Sequence, residues 1–405
     1  MVVINRKKLE YSSLVPLSHS AESVFFQAHS FIRDIDGMHA DEALDELCKI
    51  IQIKIMDEES HLDNECLRFQ TYIYNNPNEF YNSIMDFQNE ILKENGLAVD
   101  YNKKIKLSPS ALYKVVELFQ KYNFTKTPLD IKGRAFQNLF LPSVRAGMGQ
   151  YFTPLPIVKF IIECVGPTSY DYVLDPFCGS GHFLTESMKY VRENENKSIA
   201  LRFLQKKYFG IEKSERMVRV ASTDFKLSES DEVNIECNDS LLPFDVYNNI
   251  KPGFFDYVLT NPPFGSLLGK ESLSFLDDFI LSKDKKSIPL EILGIERSLQ
   301  FLKPEGKLVI VIPDGILVNM QMKYVRDWLN TVATINAVIS LPSDTFTPFG
   351  ANVKTSILFM KKNGKSKVNS KTFLGKFNNS FDDVEGGEFL KMKYELKNHL
   401  QREGW

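Results

Sequence analysis

From Tyr172 onward, short apolar segments alternate with amphipathic stretches, and this alternation constrains the fold more than any other feature of the chain. Seven segments have the character of strands: Tyr172–Asp175, Tyr208–Glu212, Val233–Glu236, Phe255–Thr260, Lys307–Ile312, Ala337–Leu341 and Thr355–Met360. Helical spacing of apolar residues marks most of the intervening stretches. The pattern predicts an α/β fold with a doubly wound, seven-stranded, mostly parallel sheet.

The connection between the last two predicted strands is short. It contains Pro342, Pro348 and Gly350, and it has only about the dozen residues that a helical crossover needs as a minimum. We therefore expect the final strand to run antiparallel.

Residues 1–145 lack this alternation and predict a helical bundle. Apolar residues recur at helical spacing in five segments, and Ser108 before Pro109 has the residue type of a helix N-cap. With 405 residues, two or three domains are expected. We predict a helical domain at 1–145, an α/β domain at 146–362, and a polar linker with a C-terminal helix at 363–405.

Composition excludes several classes of protein. The net charge of −3 does not by itself indicate a protein that binds nucleic acid. A polyanion would therefore bind a local basic patch or one completed by a partner. We find no signal peptide and no run near the roughly 18 apolar residues of a membrane span. The 5 cysteines are scattered and form no CxxC pair, which argues against a zinc site and for a cytoplasmic protein with reduced thiols.

A glycine-rich turn, Asp175-Pro-Phe-Cys-Gly-Ser-Gly, follows the first predicted strand. Gly179 and Gly181 allow a tight turn and close approach to the backbone, and a helix beginning near Gly181 presents free N–H groups. The spacing is neither GxGxxG nor a P-loop, so neither a dinucleotide nor a nucleoside triphosphate is favoured. Asp175 can pair with an ammonium group. A ligand with an amino-acid part and a nucleoside part fits best.

Acidic residues follow the next two strands. Glu212 is placed to accept from ribose hydroxyls, although acids that end strands are also common surface residues. Asp239 could accept from an adenine amino group. Upstream, Gln150-Tyr151-Phe152-Thr153-Pro154 leads into a predicted helix, Ile157–Cys164. Its aromatic residues either pack in the core or form a wall of a nucleoside pocket.

The residues Asn261-Pro262-Pro263-Phe264 end the strand Phe255–Thr260. The prolines predict a stiff loop at the carboxyl end of a strand, where open α/β sheets place their chemistry. The side-chain carbonyl of Asn261 and the backbone carbonyl of Pro262 would accept hydrogen bonds, and Phe264 offers a flat apolar face. The loop therefore suits a planar substrate with an –NH2 group. The other interpretation is a strand-ending turn followed by a core phenylalanine.

In order and rough spacing, these motifs resemble those of S-adenosylmethionine-dependent adenine-N6 DNA methyltransferases. More closely, the chain resembles the modification subunit of type I restriction-modification systems. That closer resemblance depends on four less specific matches, at Glu42–Leu47, Ile312–Leu317, Leu341-Pro342 and Lys354–Leu358. The resemblance extends from about residue 20 to residue 362, and it implies a Rossmann-like methyltransferase domain.

The resemblance also implies site residues. The S-adenosylmethionine site would comprise Gln150, Tyr151, Phe152, Thr153, Pro154, Asp175, Gly179, Ser180, Gly181, Glu212 and Asp239. The catalytic loop would comprise Asn261, Pro262, Pro263 and Phe264. Asn261 and the Pro262 carbonyl would hold the N6 amine of a flipped adenine, Phe264 would stack on that base, and no metal would be needed.

Partners follow from the same resemblance. DNA is the expected substrate, and a specificity subunit is expected because about 40 residues after the final strand are too few for a recognition domain. The helical domain or the tail from Glu388 would dock it. A second copy of the chain and a restriction subunit are further candidate partners, and no membrane is expected. Alternatives are a methyltransferase acting on RNA or on a protein glutamine amide, or a catalytically silent DNA-clamping subunit.

Overall fold

The computed structural model describes residues 8–18, 20–60, 65–94, 104–139, 153–195, 206–228, 234–269, 278–347, 353–364, 370–378 and 387–405. Contacts divide the chain into two compact units. The first is Met1–Gly149 with Ser222–Ser230, and the second is Gln150–Ala221 with Asp231–Trp405. None of the described helices is long and apolar enough to cross a membrane.

The first unit is mainly helical. Its described helices are α1 (Ala21–Asp36), α2 (Ala40–Ser60), α3 (Pro77–Glu94), α4 (Pro109–Phe119) and α5 (Leu129–Gln137). Helix α4 begins where the sequence predicts, because the Ala111 N–H donates to the Ser108 hydroxyl at 3.2 Å and Pro109 takes the first helical position. A short parallel pair, β1 (Val15–Pro16) and β2 (Tyr122–Asn123), was not predicted.

The second unit is an α/β unit. Its strands are β3 (Val173–Asp175), β4 (Tyr208–Glu212), β5 (Asn234–Cys237), β6 (Phe255–Thr260), β7 (Leu267–Gly269), β8 (Ser287–Pro289), β9 (Leu302–Pro313), β10 (Ala333–Ser340), β11 (Thr355–Lys362) and β12 (Phe373–Lys376). The remaining helices are α6 (Leu155–Val165), α7 (His182–Asn194), α8 (Glu215–Leu227), α9 (Leu290–Phe301), α10 (Gly315–Val318), α11 (Lys323–Val332) and α12 (Gly387–Arg402). Contacts assign the last part of α8 to the first unit.

The main sheet has eight strands in the order β12-β10-β11-β9-β6-β3-β4-β5, whereas β7 and β8 form a separate two-stranded antiparallel sheet. Strand β11 runs antiparallel to both of its neighbours, which confirms the predicted direction of that strand. The other pairings in this sheet are parallel. The architecture is therefore the predicted doubly wound, mostly parallel sheet.

The predicted number of seven strands is wrong. The additional strand, Phe373–Lys376, lies in the segment that was predicted to be a polar linker, and it pairs with β10 from Ala337↔Phe373 onward. It is a short edge strand whose residues are only half buried or exposed, and Leu374 is 78% exposed. Edge strands of this kind lack the apolar run that marks a buried strand.

The order of the strands creates a switch point between β3 and β6. The chain proceeds outward through β4 and β5, returns to β6 beside β3, and then continues outward on the other side through β9. The fully buried side chains of Leu174 and Val258 lie opposite each other in the β3–β6 pairing. Open α/β sheets bind ligands outside the carboxyl ends of the strands at such a point. The glycine turn and Asn261 both leave the sheet there.

Candidate functional site

The glycine turn connects β3 to α7. Gly179 and Gly181 have φ angles of 51° and 81°, in the left-handed region that favours glycine. The Gly181 N–H donates to the Cys178 carbonyl at 2.7 Å, and α7 begins at His182. The turn is tight, and the first N–H groups of α7 lie at its end, as the sequence predicts. Ser180, between the two glycines, is buried.

Asp175 is almost fully buried at the end of β3, with 1% of its surface exposed. Its Oδ1 accepts hydrogen bonds from the Thr260 hydroxyl at 2.6 Å and from the Phe177 N–H at 3.1 Å. Burial raises the pKa of the Asp175 carboxyl to about 7, and the charge of Glu212 acts in the same direction against these two bonds. Asp175 therefore joins the ends of β3 and β6. Its pairing with a cofactor ammonium stays a prediction.

Glu212, at the end of β4, faces the glycine turn. Its Oε2 accepts from the Gly179 N–H at 3.1 Å, and its Oε1 accepts from the Ser214 N–H at 2.8 Å. The close approach of β4 to the turn requires Gly210, a residue that the sequence analysis did not single out. A Cβ atom at that position would lie 2.9 Å from Cys178 Sγ and 3.1 Å from Leu184 Cδ1.

Asp239 follows β5 and is held by its own loop. The Leu241 N–H donates to its Oδ1 at 3.0 Å, and the Lys213 ammonium lies 2.8 Å from its Oδ2. The side chain of Lys213 is 77% exposed and that of Asp239 is 26% exposed, so solvent and a ligand can compete for this ion pair. The Ser240 hydroxyl donates to the Pro176 carbonyl of the glycine turn. Sequence patterns did not indicate Lys213 or Ser240.

The loop Asn261–Phe264 leaves β6, and the residues directly after it bond to the first two residues of α9. The Gly265 N–H donates to Glu291 Oε2 at 3.2 Å, and the Leu290 N–H donates to the Ser266 carbonyl at 2.9 Å. Within the loop, Pro262 is buried, Asn261 is half-buried and Pro263 is exposed. Helix α9 therefore supports the chain directly after this loop, and the stiffness expected from the prolines stays a prediction.

Phe264 is 6% exposed and contacts Phe346, which is fully buried in the loop after β10. The two ring centroids lie 6.1 Å apart with the ring planes at 81°, an edge-to-face arrangement. Stacking of a base on Phe264 stays a prediction.

The upstream motif is described only in part. Gln150, Tyr151 and Phe152 lie outside the described residues. Thr153 is half-exposed, and the Pro154 carbonyl accepts hydrogen bonds in the first turn of α6, from the N–H groups of Ile157 at 2.9 Å and Val158 at 3.2 Å. Helix α6 packs against α7, the helix that starts at the glycine turn.

The arrangement has two chemically distinct sides. The glycine turn and the carboxylates of Glu212 and Asp239 suit a ligand with a cationic part and a nucleoside part. The carbonyl groups of Asn261 and Pro262 suit a planar amine. No group of three or more histidine, cysteine, aspartate or glutamate side chains in the described part of the chain could hold a metal ion.

Fold and site together define a Rossmann-like methyltransferase. A chain from a solved structure of the type I restriction-modification system, which concerns complex assembly and conformational transition, has the same fold. The two align over 96% of this chain and 83% of that one, with a TM-score of 0.72 and 21% identity. The N-6 DNA methylase family model matches residues 135–397, and the chain belongs to that family. This confirms the class of enzyme that the motifs predicted.

Curated relatives confirm the resemblance to type I modification subunits. The methylase subunit of the type I restriction enzyme EcoEI from Escherichia coli is 24% identical over 391 residues, 86% of this chain and 76% of that subunit. The StySPI methylase subunit from Salmonella potsdam is 28% identical over 227 residues. That match covers 54% of this chain and 41% of the subunit.

Proposed function

We propose that the chain transfers a methyl group from S-adenosylmethionine to the N6 amine of a flipped adenine in DNA, as the modification subunit of a type I restriction-modification complex. The main observation in support of this proposal is the hydrogen bond from Thr260 to Asp175, because it joins the glycine turn to the Asn261 loop at the switch point of the sheet. Membership of the N-6 DNA methylase family supports DNA as the substrate.

The residues present fit the cofactor. Gly179 and Gly181 add no side chain to the turn, and the Glu212 carboxylate, oriented by the N–H groups of Gly179 and Ser214, would accept from ribose hydroxyls. Asp239 would accept from the adenine of the cofactor in place of Lys213. When bound, S-adenosylmethionine supplies an electrophilic methyl group.

Asn261 and Pro262 orient the target amine. An adenine amine is a poor nucleophile because its lone pair is delocalised into the ring. Hydrogen bonds from the amine to the Asn261 side-chain carbonyl and the Pro262 backbone carbonyl favour a geometry in which the lone pair points at the methyl carbon. Transfer would be an in-line displacement in which the sulfonium leaves as a neutral thioether and the methylated amine releases a proton to solvent. No covalent enzyme intermediate would form, so these residues would raise the rate by positioning and electrostatics. Extruding the base costs a few kcal/mol, and stacking on Phe264 returns part of it.

We propose DNA and a specificity subunit as partners, with a second copy of the chain and a restriction subunit as further candidates. Helix α12 packs against α6 and β10, and Phe389, Leu396 and Leu400 are buried. Tyr394 and Leu390, one turn apart on α12, are 70% and 49% exposed. This exposed pair is the contact that we propose for the specificity subunit.

The test is methyl transfer by the chain purified alone and together with the products of the genes that neighbour its own. A labelled methyl donor is offered with DNA, RNA and glutamine-containing protein, and the products are analysed as nucleosides and peptides. We expect label in N6-methyladenine of DNA only. Label in RNA or protein would assign another substrate. Cofactor binding by calorimetry without transfer to any acceptor would favour the silent DNA-clamping subunit. Full-rate methylation of one defined sequence by the isolated chain would remove the need for a specificity subunit.

A further inference from the structure

Helix α9 contacts loops on both sides of the candidate site. Glu291, Gly294 and Arg297 are spaced three residues apart, so they lie on successive turns along one side of the helix. Glu291 and Gly294 meet the catalytic loop, and Arg297 meets the loop that follows Asp239. None of the three was singled out from the sequence.

Gly294 permits α9 to lie directly against the catalytic loop. A Cβ atom at this position would lie 2.8 Å from Pro262 Cβ, 3.3 Å from Pro262 Cγ and 3.4 Å from Phe177 Cε2. The proline ring is rigid, so an added methyl group would have to displace the loop itself. The carbonyl of Pro262 is one of the two acceptors proposed for the target amine. The backbone of α9 therefore sets the depth at which that acceptor lies.

Arg297 holds the other side of the site. Its guanidinium is fully buried, and Nη2 donates to the carbonyls of Leu241 at 2.9 Å and Leu242 at 3.0 Å. It also lies over the rings of Phe244 and Phe279, with distances of 4.2 Å and 4.4 Å to the ring centroids. The Leu241 N–H in turn donates to Asp239 Oδ1 at 3.0 Å. Arg297 is thus one residue removed from the carboxylate proposed to bind the adenine of the cofactor.

Burying the charged side chain of Arg297 opposes folding, because the guanidinium loses its hydration. Nε and Nη1 of Arg297 have no hydrogen-bond partner among the described residues. An apolar side chain would fill the same volume at a lower cost, so the two carbonyl bonds and the two ring contacts are the features that distinguish arginine here.

We propose that α9 is the positioning element of the site. Gly294 and Glu291 fix the position of the loop that holds the target amine. Arg297 fixes the position of the loop that holds the cofactor adenine. The three residues act through these loops and do not touch the reacting atoms. The inference rests on the proposed function for the identity of the two ligands.

The test compares Gly294→Ala and Arg297→Met in the complex with the specificity subunit. Cofactor affinity is measured by calorimetry, and methyl transfer is measured in a single turnover at saturating cofactor. For Gly294→Ala we expect unchanged cofactor affinity and a transfer rate about 100-fold lower, the scale of a 1 Å misplacement. For Arg297→Met we expect cofactor affinity about tenfold weaker or more, with the rate at saturation near wild type. Arg297→Lys keeps a donor and should recover part of the affinity.

Gly133→Ala is the matched control. Gly133 lies within α5, and a Cβ atom there would meet nothing within 4 Å, so neither quantity should change. Alanine is also the better helix former, so a loss in Gly294→Ala reports the contact with Pro262.

Two outcomes overturn the proposal. One is a Gly294→Ala variant that transfers at the wild-type rate. The other is a parallel fall of affinity and rate in both variants, in step with a fall in melting temperature, which would make α9 a structural helix only. A wild-type complex that binds cofactor but methylates another acceptor would contradict the proposed function instead. The separate effects of the two variants on cofactor affinity and on transfer rate would then be measured with that acceptor.

Discussion

The Thr260 hydroxyl donates a 2.6 Å hydrogen bond to Asp175 Oδ1, between residues that are 0% and 1% exposed. Asp175 ends β3 and precedes the glycine turn, whereas Thr260 ends β6 and precedes Asn261. The bond therefore connects the cofactor side of the site to the acceptor side.

Replacing Thr260 with valine tests that connection. The substitution keeps the shape and removes the donor, so one oxygen of a buried carboxyl loses a partner at a cost of about 1–3 kcal/mol in the free energy of unfolding. We expect this loss in chemical denaturation, together with slower methyl transfer. Thr331→Val is the control, because the Thr331 hydroxyl donates only to the nearby Trp328 carbonyl on an exposed helix end. An unchanged rate in Thr260→Val would show that the bond does not couple the two loops.

The stability of the ligand-free protein should depend on the protonation of Asp175. Its pKa is raised from 3.8 to about 7 by burial, so between these values the folded state binds more protons than the unfolded state. The free energy of unfolding therefore falls as pH rises from about 4 to 7, by a few kcal/mol at most, since one pKa unit is worth about 1.4 kcal/mol.

Asp175→Asn should remove this part of the pH dependence, because the amide stays neutral and its oxygen still accepts from Thr260. Denaturation at pH 5 and pH 8 gives the comparison. The stability of the variant relative to wild type should increase with pH, and a difference that is constant with pH would contradict the assignment. The variant should also gain less stability from S-adenosylmethionine at pH 8 if Asp175 pairs with the ammonium group.

Asn261→Ala should abolish methyl transfer and keep cofactor binding, because it removes an acceptor for the target amine and leaves the glycine turn intact. Asn261→Asp keeps a carbonyl-type acceptor and should retain measurable activity. Calorimetry with the cofactor and transfer to DNA under single-turnover conditions separate the two effects. Loss of cofactor binding in Asn261→Ala would mean that its role has been misassigned.

Phe264→Ala should weaken retention of the flipped base by about 1–3 kcal/mol, the usual worth of base–aromatic stacking, and slow transfer to duplex DNA accordingly. Phe264→Tyr keeps the ring and serves as the matched variant. Phe346→Leu removes the edge-to-face contact with Phe264 and should leave transfer active. A fluorescent adenine analogue at the target position reports capture. Equal capture by wild type and Phe264→Ala would exclude the stacking role.

Local patterns in the sequence determined much of this protein. The helices of the first unit, seven strands of the main sheet and the antiparallel direction of β11 follow from apolar periodicity and from the length of connections. The positions of the glycine turn and the Asn261 loop at strand ends follow from residues that are adjacent in the chain. The class of enzyme could be predicted for the same reason.

Only the tertiary structure decided which of these ends meet. Thr260 lies 85 residues from Asp175 in sequence, and Arg297 lies 56 residues from Leu241. Neither pair is marked by any local pattern, because a threonine in a strand and an arginine in a helix are ordinary residues until the strand order brings their partners close. The need for glycine at 210 and 294 likewise arises from neighbours on other elements. Strand β12 was missed because pairing with the exposed edge of β10, and not an apolar run of its own, makes it a strand.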